Sequence, residues 1–154
     1  MSQIEENLQK LGLVLPPAPK PVASYVTAVN TGGLVFVSGQ LPSREGKVAY
    51  LGKVPNPVSI EQAAEAAKLA AINGLAALKD AIEGDWNRLV RLVRVGVFVQ
   101  CDPAFDQHSK IANGASDLFA AVCGDIGRHA RTTVGVAALP LNAAVEVELL
   151  AQVR

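Results

Sequence analysis

Two stretches near the C-terminus alternate apolar and polar residues with the period of two that marks a strand. They are Arg131-Thr-Thr-Val-Gly-Val-Ala-Ala138 and Ala144-Val-Glu-Val-Glu-Leu-Leu150. Between them, Leu139-Pro140-Leu141-Asn142 reads as a tight turn, so the two are expected to pair as a hairpin. A basic lead-in, Gly127-Arg-His-Ala-Arg131, precedes the first strand. Glu146 and Glu148 fall on one face of the second, because side chains alternate along a strand. In such a hairpin Arg131 lies opposite the region of Leu150 and Glu146 opposite that of Gly135, so a site shared by the two needs a diagonal reach or another wall. Gly135 is expected to leave a gap in the sheet for a ligand or a second subunit.

The rest of the chain supplies partners for that sheet. Ile4, Leu8 and Leu11 recur at helical spacing and predict a short amphipathic helix over residues 3–11, ended by Gly12. The proline-rich run Pro16–Pro21 is an extended connector, so residues 1–21 form an N-terminal helix and linker ahead of one domain over 22–154. Strands are expected over 24–30 and 34–37, joined by the turn Thr31-Gly32-Gly33. Gly39 then either permits a bend or lets backbone approach a ligand closely. A polar loop over 43–57 holds a possible short strand at Val48–Tyr50.

Ser59-Ile-Glu-Gln62 is a capping box, opening an alanine-rich helix that runs to about Ile82. Asn73 in its middle is a satisfied or solvated amide. Leu89–Val99 reads as a long strand, although Arg88, Arg91 and Arg94 recur every third residue and keep a helical start in play. That arginine run is a solvated or ion-paired face. Asp102-Pro103 predicts a helix N-terminus, followed by two helical pieces with a soft join at Gly114, the second over 110–123. Hairpin, helix, strand, helix, hairpin suggests an α+β fold with the helices on one sheet face.

Composition narrows the function classes. Only 18% of the 154 residues are charged while half are hydrophobic, so part of the surface is expected to be covered in an oligomer. Zero formal net charge and 5% aromatic content give no reason to expect nucleic acid or an anionic membrane as partner. There is no run of ~18 apolar residues for a membrane span, nor a signal-peptide pattern at the start. A cytoplasmic location is therefore expected, with Cys101 and Cys123 as buried thiols. His108 is expected to be exposed, and without a second ligand at usable spacing no metal site is anticipated. Nucleotide-binding glycine motifs and a nucleophile elbow are absent from the sequence.

What remains is an arginine that can grip a planar carboxylate with two parallel hydrogen bonds, and two acids. A carboxylate in a dry cleft can polarise water or carry a proton. Alternatively, Glu146 and Glu148 face solvent or pair with Arg91 or Arg94.

Tyr25-Val26, Val37-Ser-Gly-Gln-Leu-Pro42, Ala130-Arg-Thr-Thr-Val134 and Leu139-Pro140 … Val145-Glu-Val-Glu148 occur in an order and spacing that resemble the RidA/YjgF family. These are the reactive-intermediate deaminases, also named L-PSP endoribonucleases. The resemblance implies a chorismate-mutase-like α+β fold, with two helices on one face of a mixed sheet, assembled as a homotrimer with sites between subunits. It implies hydrolysis of enamine or imine intermediates such as 2-aminoacrylate to a 2-keto acid and ammonia, without a cofactor. By position, Arg131 would hold the substrate carboxylate and Glu146 would help position or activate the water, with Tyr25, Ser38, Gly39 and Asn113 lining the pocket. An alternative is non-catalytic binding of small carboxylate metabolites in the same cleft. Thr133 stands where short members often carry Cys, the N-terminal helix and linker are additions, and the segment 127–131 is more basic. Together these resemble a longer branch, in which His129 either joins the pocket as acid or base or serves structurally.

Overall fold

The structure, a computed structural model, describes residues 1–21 and 23–154. Val22, the first residue of the expected domain, lies outside the described residues. Helix α1 (Gln3–Lys10) is followed by strands β1 (Ala28–Thr31), β2 (Leu34–Gln40), β3 (Ser43–Arg44) and β4 (Lys47–Val48). Then come helix α2 (Ile60–Ala81), strand β5 (Leu89–Gln100), helix α3 (His108–Cys123), and strands β6 (Ala130–Val136) and β7 (Val145–Val153). The main sheet runs β1-β2-β7-β5-β6, with β5 and β6 parallel and the other neighbours antiparallel. The fold is α+β.

The expected C-terminal hairpin does not form. Both strands exist, but β5 lies between them, pairing with β6 on one edge and β7 on the other. The reason is the character of β5: Leu92, Val95, Val97 and Val99 are buried, and so apolar a strand is stable only with both backbone edges paired. Its link to β6 is a crossover through α3, as a parallel pair requires. The turn at Pro140–Asn142 is present but arches over the end of β5, where the buried Gln100 amide donates to Asn142 Oδ1 at 3.0 Å.

Helices α2 and α3 cover one face of the sheet. Ser59 and Gln62 form the expected reciprocal cap, with N–H···O distances of 3.0 and 3.1 Å. The alanine surface of α2 is buried at Ala63, Ala66, Ala67, Ala70 and Ala71, while Leu75, Leu78 and Ile82 fill the core beneath. Burying each of these large side chains contributes about 1.5–3 kcal/mol. Helix α1 has its own Ser2–Glu5 capping box, buries Ile4 and Leu8 in the same core, and ties Asn7 Nδ2 to Val122 O at 2.9 Å. The N-terminal helix is thus built into the body of the fold. No helix among the described residues is long and apolar enough to cross a membrane.

Other expectations change in detail. Strand β1 begins at Ala28, leaving Tyr25 and Val26 exposed before it. Residues 102–107 are not helical: Asp102 N is held by Val54 O at 3.1 Å, which prolongs sheet-like pairing and moves the helix start to His108. His108 is half-buried, its Nε2 3.5 Å from Cys101 Sγ and its ring edge-on to Phe105. That pair occupies the space beside Gly135, where an added Cβ would lie 2.7 Å from both Cys101 Sγ and His108 Nε2, so the expected gap is filled from within. Cys101 and Cys123 are buried free thiols. Arg88 ends a short 3-10 turn, Trp86–Arg88, and pairs with Glu83 at 3.1 Å, and the strand begins at Leu89.

Gly114 is no soft join. Helix α3 runs through it without a break, and a Cβ there would overlap the carbonyl of Ala64, with Ala64 Cα at 3.1 Å. Gly74 in α2 instead faces only the end of a flexible side chain, Leu149 Cδ2 at 2.9 Å. Gly74→Ala is therefore expected to stay within about 1 kcal/mol of wild type, because helix propensity offsets the crowding. Gly114→Ala, crowded against backbone, is expected to lose on the order of 1–3 kcal/mol or more. Urea melts followed by circular dichroism check this; equal stabilities would contradict the close α2–α3 contact.

Candidate active site

Arg131 lies on β6 opposite Val95, whose side chain is fully buried on the helix side. Cross-strand partners share a face, so Arg131 projects toward α3, as does Thr133 two residues on. There α3 presents Asn113 and Ser116, three residues apart and hence neighbours on one helix face. Arg131 Nη1 donates to Asn113 Oδ1 at 2.9 Å and to Ser116 Oγ at 3.1 Å. A guanidinium has five N–H groups; both on Nη1 are engaged, while those on Nε and Nη2 have no partner among the described residues. The Nε–Nη2 edge is a planar fork suited to two parallel bonds with a carboxylate. Arg131 also lines a cavity of about 290 Å³, together with Ser116, Asp117, Arg128 and His129.

His129 has both ring nitrogens engaged within the chain. Nδ1 lies 2.6 Å from Gly127 O, which can only accept, so Nδ1 carries a proton. Nε2 lies 2.9 Å from Ser116 Oγ. Since Ser116 Oγ already accepts from Arg131, its own proton is free to go to His129 Nε2. Burial pushes the imidazole below its ordinary pKa and the Arg131 charge adds to that, while the bond to Gly127 O opposes them. The ring stands edge-on to Phe119 at 5.7 Å. Thr133 Oγ1 is buried without a partner among the described residues.

Glu146 projects from the other face of the sheet. It pairs with Phe98 on β5, between Val145 and Val147, which point into the core. The register of β2 against β7 slips between Val37 and Gln40, and Gly39 sits in that irregularity. A Cβ at Gly39 would fall on the Glu146 carboxylate, with Glu146 Cδ only 2.8 Å away. Gly39 therefore serves close approach: the acid lies flat across its backbone. Gly96 relates to Glu148 in the same way, with Glu148 Oε1 2.8 Å from the Cβ position. Burial raises the Glu146 pKa above the ordinary carboxylate value, and the Glu148 charge raises it further. Neither acid has an ion-pair partner within 4.0 Å among the described residues, so the pairing with Arg91 or Arg94 does not occur in the single chain.

Around this acid, Ser38 Oγ donates to Val26 O at 2.7 Å and pins the segment that carries the exposed Tyr25. Asn73, 4% exposed, donates to Leu41 O and Ser43 O at 3.0 Å each and fixes the chain just beyond Gly39. Tyr25 and Gly39 line a cavity of about 360 Å³ whose far wall is the proline run. The candidate residues thus fall into two groups. Arg131, Asn113, His129 and Thr133 lie on the helix side and Glu146, Gly39 and Ser38 on the opposite side, while Tyr25, ahead of β1, shares its cavity with Gly39 and with Asn73 of α2. A single chain does not bring Arg131 and Glu146 together. Ser116 was missed from sequence, although the spacing Asn113-x-x-Ser116 on a predicted helix was its available signal.

A family model for YjgF/chorismate mutase-like proteins, whose description also carries the word endoribonuclease, matches residues 5–153. The chain belongs to the RidA/YjgF family. It is similar to protein TCP17 of Trypanosoma cruzi, with 40% identity over 97% of this chain and 94% of that protein. It also resembles a 2-iminobutanoate/2-iminopropanoate deaminase of Dermatophagoides farinae, with 31% identity over 86% of this chain and 88% of that one. A crystal structure of a protein of unknown function from Agrobacterium tumefaciens superposes with a TM-score of 0.92 at 42% identity, covering 99% of this chain and 93% of that one. The RidA/YjgF fold of the chain, chorismate-mutase-like and α+β, follows from the match and the topology together.

The electrostatics of Glu146 are testable in this RidA/YjgF chain without a substrate. Carbon-detected NMR titration of the glutamate carboxyls is expected to find Glu146 titrating above the ordinary glutamate range. Glu148→Gln should lower that value part of the way only, because burial is the larger cause. A normal Glu146 titration would contradict the packed geometry over Gly39.

Proposed function

We propose that this protein hydrolyses enamine or imine intermediates of the 2-aminoacrylate type to a 2-keto acid and ammonia, without a cofactor. The observation that carries the reading is the Arg131 guanidinium, held through Nη1 with its Nε–Nη2 edge free, in a residue that lines a cavity. The named activity of the imine deaminase relative supports it. Because Arg131 and Glu146 project from opposite faces, we further propose that a homotrimer completes the site, Arg131 of one copy facing Glu146 of the next. The apolar open face of the sheet, with Phe36, Val29 and Val134 each more than two-fifths exposed, supports coverage by another copy.

In this reading the substrate reacts as R–C(=NH)–COO⁻. Arg131 holds the carboxylate, placing the C=N carbon in the cleft. Glu146, its basicity raised by burial, takes a proton from water as the oxygen bonds to that carbon. The proton passes to nitrogen, the carbinolamine collapses, and ammonia leaves with the keto acid behind. Water supplies the oxygen, so neither oxidant nor reductant is needed. Tyr25, Ser38 and Gly39 line the acid's side, and Asn113 and Thr133 the arginine's.

The buried, unpaired Thr133 hydroxyl, where short members often carry Cys, favours a second reading: binding of a small carboxylate metabolite without turnover. Zero net charge gives a ribonuclease reading no comparable support.

Generating 2-aminoacrylate with a serine dehydratase and following keto acid release tests the first reading. Wild type is expected to accelerate release, Arg131→Ala to raise KM at least ~10-fold, from loss of hydrogen bonds to a charged group, and Glu146→Gln to lower kcat by ~100-fold or more. The rate should fall on acidification at a pH above the ordinary glutamate range, as Glu146 gains its proton. Saturable binding of pyruvate with no turnover of any imine would favour the second reading. Light scattering is expected to give a trimer; a stable monomer would remove the shared cleft.

A further inference from the structure

His129 and Ser116 lie next to the proposed carboxylate anchor yet have no free polar atom aimed at a ligand except through it. The hydrogen bonds form one directed chain: His129 Nδ1 to Gly127 O at 2.6 Å, Ser116 Oγ to His129 Nε2 at 2.9 Å, Arg131 Nη1 to Ser116 Oγ at 3.1 Å. A serine hydroxyl has one proton and two lone pairs, and it can rotate. Alone, it could accept from a guanidinium or point its proton toward one, and the second orientation opposes the arginine. A neutral imidazole that accepts the proton removes that freedom. The oxygen lone pairs are then turned to Nη1, and with Asn113 Oδ1 at 2.9 Å the two N–H groups of Nη1 define the plane of the guanidinium. Gly127 in turn fixes the ring: a Cβ there would overlap Phe119 O and lie 2.9 Å from Cys123 Cβ, so the residue whose carbonyl selects the tautomer is packed close against α3.

We propose that Ser116 and His129 are positioning residues for Arg131. His129, in its Nδ1–H form, orients the Ser116 hydroxyl, which with Asn113 sets the guanidinium plane so that its Nε–Nη2 edge meets a carboxylate. The proposal rests on the reading of Arg131 as a carboxylate anchor, and it assigns His129 no proton-transfer role in the chemistry. The shift of His129 toward the neutral form, caused first by burial, agrees with this arrangement.

Nitrogen-15 NMR of the full-length protein reads the chain directly, whether or not an imine is turned over. The expected result is an Nδ1-protonated His129 and separate, slowly exchanging Nη proton lines for Arg131. Those lines should merge in Ser116→Ala and in His129→Phe, and persist in Ser116→Thr and His129→Gln, which keep a hydroxyl and an acceptor. Pyruvate affinity, measured by titration calorimetry, should weaken roughly 10-fold in Ser116→Ala and recover in Ser116→Thr. Where His129→Phe does not fold, Ser116→Ala carries the test. An Nε2-protonated His129, Arg131 lines indifferent to Ser116→Ala, or equal pyruvate affinity in wild type and Arg131→Ala would each overturn the proposal. Failure of imine hydrolysis alone would remove the proposed reaction and leave this coupling standing.

Discussion

Strand β5 must hydrogen-bond along both edges, and that requirement organises the molecule. Its buried valines make it a central strand, so β7 takes one edge and β6 the other. From this follow the crossover through α3, the arch of Pro140–Asn142 over the strand end, and the placement of β6 at the rim of the sheet. It also separates the two groups that matter most chemically. Arg131 sits level with Val95 and Leu149 and points to the helices; Glu146 sits level with Phe98 and points away from them.

The two groups meet opposite physical demands. The guanidinium is held at a single nitrogen by α3, which leaves most of its donors available without leaving the group loose. The Glu146 carboxylate is half-buried against a glycine and beside a second acid, so that its proton is held more tightly than an exposed glutamate's. In the proposed assembly, a cation whose remaining donors have no partner among the described residues would face an acid of raised basicity across the subunit boundary, a pairing that suits an anionic, electrophilic ligand. The surroundings tune each one separately, because they lie on different faces of the sheet.

Much of this was legible in the sequence where the governing physics is local. The Ser59–Gln62 cap, the alanine helix and the Gly32-Gly33 turn depend on residues a few positions apart, and they appear with nearly the expected bounds. The terminal strands were legible as strands but not as non-neighbours, because a period of two says which face is buried and nothing about which strand pairs alongside. Asp102-Pro103 looked like a helix start because the sequence carries no sign that Val54 would claim the Asp102 amide. Gly114 and Gly135 were misread for a similar reason: whether a glycine marks freedom or crowding depends on distant atoms, here Ala64, Cys101 and His108. Arg131 and Glu146 stood out as charges in an apolar context, whereas Ser116, a common helix residue, gave no such contrast.

The contact of Gly39 with Glu146, and of Gly96 with Glu148, has a consequence for how this sequence can drift. Each glycine is the mould for the acid above it, so the two positions of a pair are not independent. A side chain gained at 39 would push the Glu146 carboxylate off the backbone it now lies across, while a shorter acid at 146 relaxes the demand for glycine at 39. Substitutions within a pair are expected to be strongly non-additive, and those between pairs much less so. Glu146 and Glu148 are therefore expected to change together with their glycines, as two matched couples rather than as four separate choices.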